Sequence, residues 1–294
     1  MSGEILLYSL ILLMVGFWSG NYIAGKLALR DFPPLLLISL RLFFAGLMIL
    51  PIYWRERWRS PEQARVSWSD WPALLSLGIL GLSLNQVLFV VGLSLTSVAH
   101  SALIVGLIPI MVLLLATLLG QEHITLRKTA GMIVALAGVA ILKVFEGRQQ
   151  GGPTWLGDCI IFLSTLTFSI FTVFGKRATK RYSAVVVNTF GYVGGGLTLL
   201  PVILWGFARF PYGQVRPLSW ACLLYMALFP SVLAYLIYYY ALKRIPASRV
   251  SAFSYLQPVL AMTMGVFILG ERVTGSLLLG GTVIFSGVYL TERG

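Results

Sequence analysis

Apolar runs of roughly twenty residues, separated by short polar or Pro/Gly punctuation, recur along the whole chain. A helix needs about 20 residues to cross the hydrocarbon core of a bilayer, so runs of this length predict spans rather than buried core helices. They place helices at about 5 to 25, 34 to 53, 72 to 94, 98 to 118 and 127 to 145, then at about 156 to 175, 184 to 206, 219 to 242, 246 to 268 and 275 to 291. The longest connection, residues 54 to 71 (WRERWRSPEQARVSWSDW), is basic and edged with Trp, as expected of a loop at a headgroup interface.

Compared with itself, the chain shows a period near 150 residues. At a shift of 150, Gly25-Lys26 falls on Gly175-Lys176, and GLMILP (Gly46 to Pro51) falls on GLTLLP (Gly196 to Pro201). At a shift of 149, Pro109 meets Pro258, Glu122 meets Glu271, Thr125 meets Thr274, Gly131 meets Gly280 and Gly138 meets Gly287. Two units follow, residues 1–146 and 154–294, each of five helices. An odd number of spans per unit makes the second copy enter from the opposite side, so the predicted fold is an all-α membrane protein of ten helices in two inverted repeats around a central cavity.

Composition agrees and narrows the function. The 294 residues are 58% hydrophobic and 11% charged, with mean hydropathy +0.87, which leaves no room for a soluble catalytic domain. The net charge of +12 sits between apolar runs instead of clustering on a polar face, which argues against nucleic acid. With the amino terminus inside, the inner connections carry fourteen Lys and Arg and the outer ones seven, with Arg41 left within helix 2. That bias predicts both termini in the cytoplasm; the membrane expected for the chain is a bacterial inner membrane. The opening residues MSGEILLYSL lack a basic n-region and read as an uncleaved first span. Cys159 and Cys222 are too few for a disulfide framework or zinc site, and both read as small buried hydrophobes.

Several motifs also resemble a known family. Gln257-Pro258-Val259-Leu260, then Leu269-Gly270-Glu271-Arg272-Val273-Thr274 and the Gly280 to Gly287 helix, look like the end of an EamA repeat of the drug/metabolite transporter superfamily. Ile108-Pro109-Ile110 and Gly120-Gln121-Glu122-His123-Ile124-Thr125 take those places in the first copy, with an extra Gln. Gly16-Phe17-Trp18-Ser19-Gly20-Asn21 before Gly25-Lys26, then Arg41, is similar to that family's opening. The resemblance covers essentially the whole chain. It implies a basket in which helices 1 to 4 and 6 to 9 line the cavity while helices 5 and 10 stand outside, and solutes such as amino acids, other metabolites or toxic compounds.

Candidate site residues follow from the cost of polar groups in lipid. Arg41, about 10 Å into helix 2 at 1.5 Å per residue, would cost on the order of 2.5 to 3.5 kcal/mol facing lipid. It reads either as an anchor for an anionic substrate group or as an Arg that snorkels outward or binds freed carbonyls. Trp18, Ser19 and Asn21 in helix 1, Asn85 and Gln86 in helix 3, Phe168 and Ser169 in helix 6, Tyr235 and Tyr239 in helix 8, and Ser254 and Gln257 in helix 9 are the remaining expected substrate contacts, with interhelical hydrogen bonding as the alternative for each polar one. His100, whose repeat partner is Arg249, reads as a gating or proton-coupling group or as an interfacial hydrogen bonder. All ten acids fall at predicted helix ends or in connections, which predicts no buried-acid coupling site and neutral, zwitterionic or anionic solutes.

Prolines 109, 230 and 258 remove backbone donors inside helices and free the carbonyls of Val105, Met226 and Ser254, so kinks are expected there. Gly81 stands at the place equivalent to Pro230. The reading is a secondary transporter, an exporter or facilitator of small organic solutes working by alternating access, with no cofactor or metal, the bilayer and a small solute as partners, and a monomer as the working expectation. An intramembrane hydrolase is the alternative, but the Ser of GFWSG does not have the spacing of a nucleophile elbow; a channel is another.

Overall fold

The computed structural model describes residues 2–60, 65–119, 125–144, 154–245, 250, 253, 256–271 and 273–292. All regular structure among them is helical. In chain order, α1 is Ser2–Ala28, α2 Pro34–Arg59, α3 runs from Trp71 to Leu95, α4 from Val98 to Leu118, and α5 is Leu126–Val144. Then come α6 (Trp155–Thr179), α7 (Ala184–Thr198 and Leu200–Arg209), α8 (Pro217 to Arg244), α9 (Leu256–Leu269) and α10 (Gly275–Glu292). Six of these are long and apolar enough to cross a membrane, seven if the bent pair in α7 is one span. The chain is therefore a multi-pass membrane protein.

Helix starts carry the expected chemistry. The hydroxyls of Ser97, Thr154, Ser183 and Thr125 accept from the amides of His100, Gly157, Val186 and Lys128, three residues on in each case. Thr125 thus caps α5 as its sequence position predicts. Prolines occupy the first turns of α2 and α8, where no intrahelical donor is lost. Leu12, Leu13, Leu197, Leu204, Phe207 and Leu279 lie exposed on the outer surface, an apolar coat suited to lipid.

Three details depart from the sequence reading. Helix α2 continues to Arg59, so the first part of the expected 54–71 loop is helical, and a 3₁₀ turn fills Trp68–Asp70. Helix α4 breaks at Gly106-Leu107, upstream of Pro109, which opens the second segment Ile108–Leu118. Helix α7, expected as one rod, bends by 58° at Leu199, ahead of Pro201. Residues 246 to 249, expected to begin helix 9, fall outside the described residues, as do Glu122 and Ser254.

Two π-helical turns stand at equivalent places in the two halves, Ile79–Leu84 in α3 and Ala227–Leu233 in α8. Pro230 lies in the second, and the carbonyl freed at Met226 is taken by the Ser231 hydroxyl at 2.8 Å. In the first, a Cβ on Gly81 would collide with the Phe171 ring, so the glycine there admits a close approach of α6.

Packing is reciprocal. Helix α1 lies along α8 and α9, while α6 lies along α3 and α4; α2 packs on α7, and α5 on α10. The α5–α10 contact runs through glycines, where a Cβ on Gly138 would meet the Ile284 nitrogen at 2.7 Å and one on Gly287 would meet Ala135 and Gly131 backbone. Polar clasps repeat this exchange with charges reversed. After α1, Asp31 accepts from Arg216 Nη2 at 2.8 Å and from the Ser219 hydroxyl at 2.6 Å, at the start of α8. After α6, Arg181 stands 3.1 Å from Asp70, which also accepts from the Tyr182 hydroxyl, at the start of α3.

Candidate functional site

Between the two halves lies a cavity of about 90 Å³ that opens to the exterior. Its walls come from α1 (Trp18, Asn21, Tyr22), α2 (Arg41), α3 (Asn85, Gln86, Phe89), α4 (Val105, Ile108), α6 (Ser164, Thr165, Phe168), α8 (Tyr235, Tyr238), Val250 and Gln257 of α9. Trp18, Asn21, Arg41, Asn85, Gln86, Phe168, Tyr235 and Gln257 therefore stand together, as the sequence reading expects. Among the described residues, helices α5 and α10 contribute no lining side chain. Helix α7 contributes none either, although the resemblance implies that it should; it stands behind α2 and α3.

The floor of the site is aromatic. The Trp18 ring meets Tyr238 at 5.5 Å, Tyr235 at 5.8 Å and Phe168 at 5.9 Å between centroids, the latter two edge-on, and Phe168 meets Tyr238 at 5.7 Å. Neighbouring backbone fixes these rings. Trp18 Nε1 donates to the Pro230 carbonyl at 3.1 Å, within the π turn of α8, and the Tyr238 and Thr172 hydroxyls lie 2.6 Å apart. Across the cavity, Tyr22 meets Phe89 edge-on at 5.2 Å.

Arg41 is 3% exposed, and its Nε donates to Ser231 Oγ at 2.8 Å. Among the described residues this is its one hydrogen bond, and the hydroxyls of Tyr192, Tyr225 and Tyr235, not a carboxylate, are the ionisable groups around it. Gln86, also 3% exposed, finds no partner for either amide atom, and neither does Asn21 Oδ1. Buried amides without partners are uncommon, because each forfeits its hydration. Asn85 differs. Its Nδ2 donates to the Ser164 carbonyl at 2.7 Å and to Ser164 Oγ at 3.0 Å, while Ser164 Oγ donates back to the Asn85 carbonyl at 3.0 Å. It lines the wall and also joins α3 to α6.

Other expected contacts point elsewhere. The Ser19 hydroxyl is wholly buried and donates to the Val15 carbonyl one turn back, and Ser169 does the same to Thr165. Tyr239 packs on Phe171, Tyr235 and Tyr238, off the cavity wall. Helices that are apolar on every side do not reveal their rotation, so the sequence could not orient these hydroxyls.

His100 also lies apart from the cavity lining, buried in a polar cluster. Its Nδ1 stands 3.2 Å from Asp158 Oδ2, and Thr96 Oγ1 donates to Asp158 Oδ1 at 2.6 Å. Asp158 occupies the first turn of α6, as the helix-end expectation for the acids requires, but it is buried and paired rather than interfacial. Nearby, Lys26 donates to the Thr96 carbonyl, and Glu271 accepts from the Val98 and Ala99 amides at 2.9 and 3.3 Å, capping α4. No sequence signal links residues 58 and 173 positions apart; only the repeat equivalence of helix ends points toward them. Cys159 is exposed, not buried as expected, whereas Cys222 is buried. Among the described residues no cluster suited to a metal ion occurs.

The profile of the EamA-like transporter family matches residues 5–144 and again 155–293. An uncharacterized transporter of Archaeoglobus fulgidus is 27% identical over 281 residues, 96% of each chain. The uncharacterized transporter YyaM of Bacillus subtilis is 31% identical over 221 residues, 74% of this chain and 72% of that one. A WAT1-related chloroplastic protein of Arabidopsis thaliana is 24% identical over 99% of this chain and 70% of its own. One crystal structure, at 21% identity, superposes with a TM-score of 0.70 over 98% of this chain and 96% of the other, and shares its fold.

Proposed function

The chain belongs to the EamA-like transporter family, and from that premise we propose that it is a secondary transporter of small organic solutes, amino acids or related metabolites, which it exports or equilibrates by alternating access. In this reading ten helices cross the bacterial inner membrane as two inverted repeats, 1–146 and 154–294, with both termini in the cytoplasm. The reciprocal packing, the paired π turns and the charge-reversed clasps support a pseudo-two-fold relation between the halves, and an odd number of helices per unit is what would turn the second copy over relative to the first.

The observation that carries the proposal is the cavity between the halves, in which Arg41, Gln86 and Asn21 keep unused hydrogen-bonding capacity beside an aromatic floor. A buried group of that kind is stabilised when a solute supplies the missing partner. Arg41, Asn21, Gln86, Trp18, Phe168, Tyr235 and Gln257 form the binding set. In this reading coupling runs through no carboxylate in the described cavity wall, and the Ser19 hydroxyl is engaged by the Val15 carbonyl of its own helix.

Counterflow in proteoliposomes tests the reading. Solute-loaded vesicles should take up labelled solute with saturation, and Arg41→Gln should remove most of that uptake. Flux that rises linearly with concentration would indicate a channel, and hydrolysis of an added ester lost on Ser19→Ala would indicate an enzyme.

A further inference from the structure

The cavity selects a particular charge type. Among its described lining residues Arg41 is the sole charged one, and no acidic side chain faces it. Its Nε is held by Ser231, a hydroxyl itself anchored on the Met226 carbonyl, so the guanidinium is fixed in rotation while its other donors stay unused. That is the arrangement in which a carboxylate meets an arginine through paired hydrogen bonds. A zwitterion would bring an ammonium that the described wall gives no carboxylate to receive, and a cation would meet the unneutralised guanidinium. The rest of the wall sets the body of the ligand. Trp18, Phe168, Tyr235 and Tyr238 present ring edges and faces within 5.5 to 6.4 Å of one another, a surface for a flat unsaturated group. Gln86, which the Tyr192 and Tyr235 hydroxyls approach without a hydrogen bond of full geometry to either amide atom, can turn a donor and an acceptor to a neutral polar substituent.

We infer that the preferred solute is an aromatic monocarboxylate without an α-ammonium group, its carboxylate on Arg41, its ring on the Trp18–Phe168–Tyr238 floor and a hydroxyl or carbonyl substituent on Gln86. This rests on the transporter reading for its location and narrows its solutes, setting amino acids aside in favour of related carboxylates that lack the ammonium group.

A charge series on one skeleton tests it: 4-hydroxyphenylacetate (anion), tyrosine (zwitterion), tyramine (cation) and 4-hydroxyphenylacetamide (neutral), with octanoate as an aliphatic anion. Binding is read by calorimetry on the purified full-length protein. The aromatic anion should bind at least about tenfold more tightly than each of the others, the scale of one well-formed hydrogen bond to a charged group. Arg41→Lys, which keeps the charge but not the planar fork, should weaken the anion while preserving its rank, and Gln86→Leu should narrow the gap between 4-hydroxyphenylacetate and phenylacetate. Tyrosine or tyramine binding as tightly as the anion, octanoate matching it, or Arg41→Lys leaving it unchanged would overturn the inference. Counterflow separates this from the broader reading. Anion-selective binding without flux in liposomes removes the transporter and keeps the site, whereas saturable tyrosine flux indifferent to Arg41→Lys removes the site and keeps the transporter.

Discussion

Ser231 holds Arg41 in place. Its hydroxyl accepts from Arg41 Nε and donates to the carbonyl that Pro230 frees, so one small side chain satisfies both a buried cation and a broken helix. Ser231→Ala leaves both without that partner. We expect stability to fall by about 1 to 3 kcal/mol, the cost of unpaired buried groups, measured as midpoint in detergent denaturation. Asp31 supplies a pH-dependent counterpart at the surface. Hydrogen bonds from Arg216 and then Ser219 push its carboxyl down to about 2, below its ordinary value near 4. A depressed folded-state value means that the clasp stabilises fully above about pH 4 and loses its contribution as pH falls toward 2. The Tm difference between the wild type and Asp31→Asn should therefore shrink across that window, and a constant difference would show that the clasp does not titrate there.

At the scale of elements, the same local signal has different outcomes. Pro51 and Pro201 occupy equivalent places, yet α2 runs through Pro51 while α7 bends by 58° before Pro201. Proline removes a donor in both; what packs on either side decides whether the helix bends. The glycine-lined α5–α10 pair is legible in sequence from Gly131, Gly138, Gly280 and Gly287, seven apart on each helix. Gly287→Leu should destabilise by about 1 to 3 kcal/mol through overpacking, lowering Tm, while ligand affinity in the remote cavity stays unchanged. Lost affinity at full stability would mean that these helices shape the cavity. The π turns were legible only in part: Pro230 marked one, and Gly81 marked the other solely through repeat equivalence.

For the whole molecule, inversion predicts sidedness. In a background with Cys159 and Cys222 replaced by Ser, a cysteine at Ser67 should react with a membrane-impermeant maleimide only from the cytoplasmic face, and one at Gly213 only from the outer face. Labelling of both from one side would disprove the topology. The halves also supply the cavity together, Arg41 from the first being held by Ser231 from the second.

The apolar run lengths alone determined that this is a helical membrane protein, because lipid imposes span length, and self-comparison by itself raised the expectation of two units, because duplication leaves residues in register. Those same constraints singled out Trp18, Arg41 and Gln86, polar or amphipathic groups too costly to leave in lipid. Tertiary structure alone decided which of them face the cavity, why Ser19 and Ser169 turn to their own helices, and how His100 meets Asp158. A helix apolar on every side encodes no rotation of its own, so only the neighbours packed against it can set which face a side chain shows.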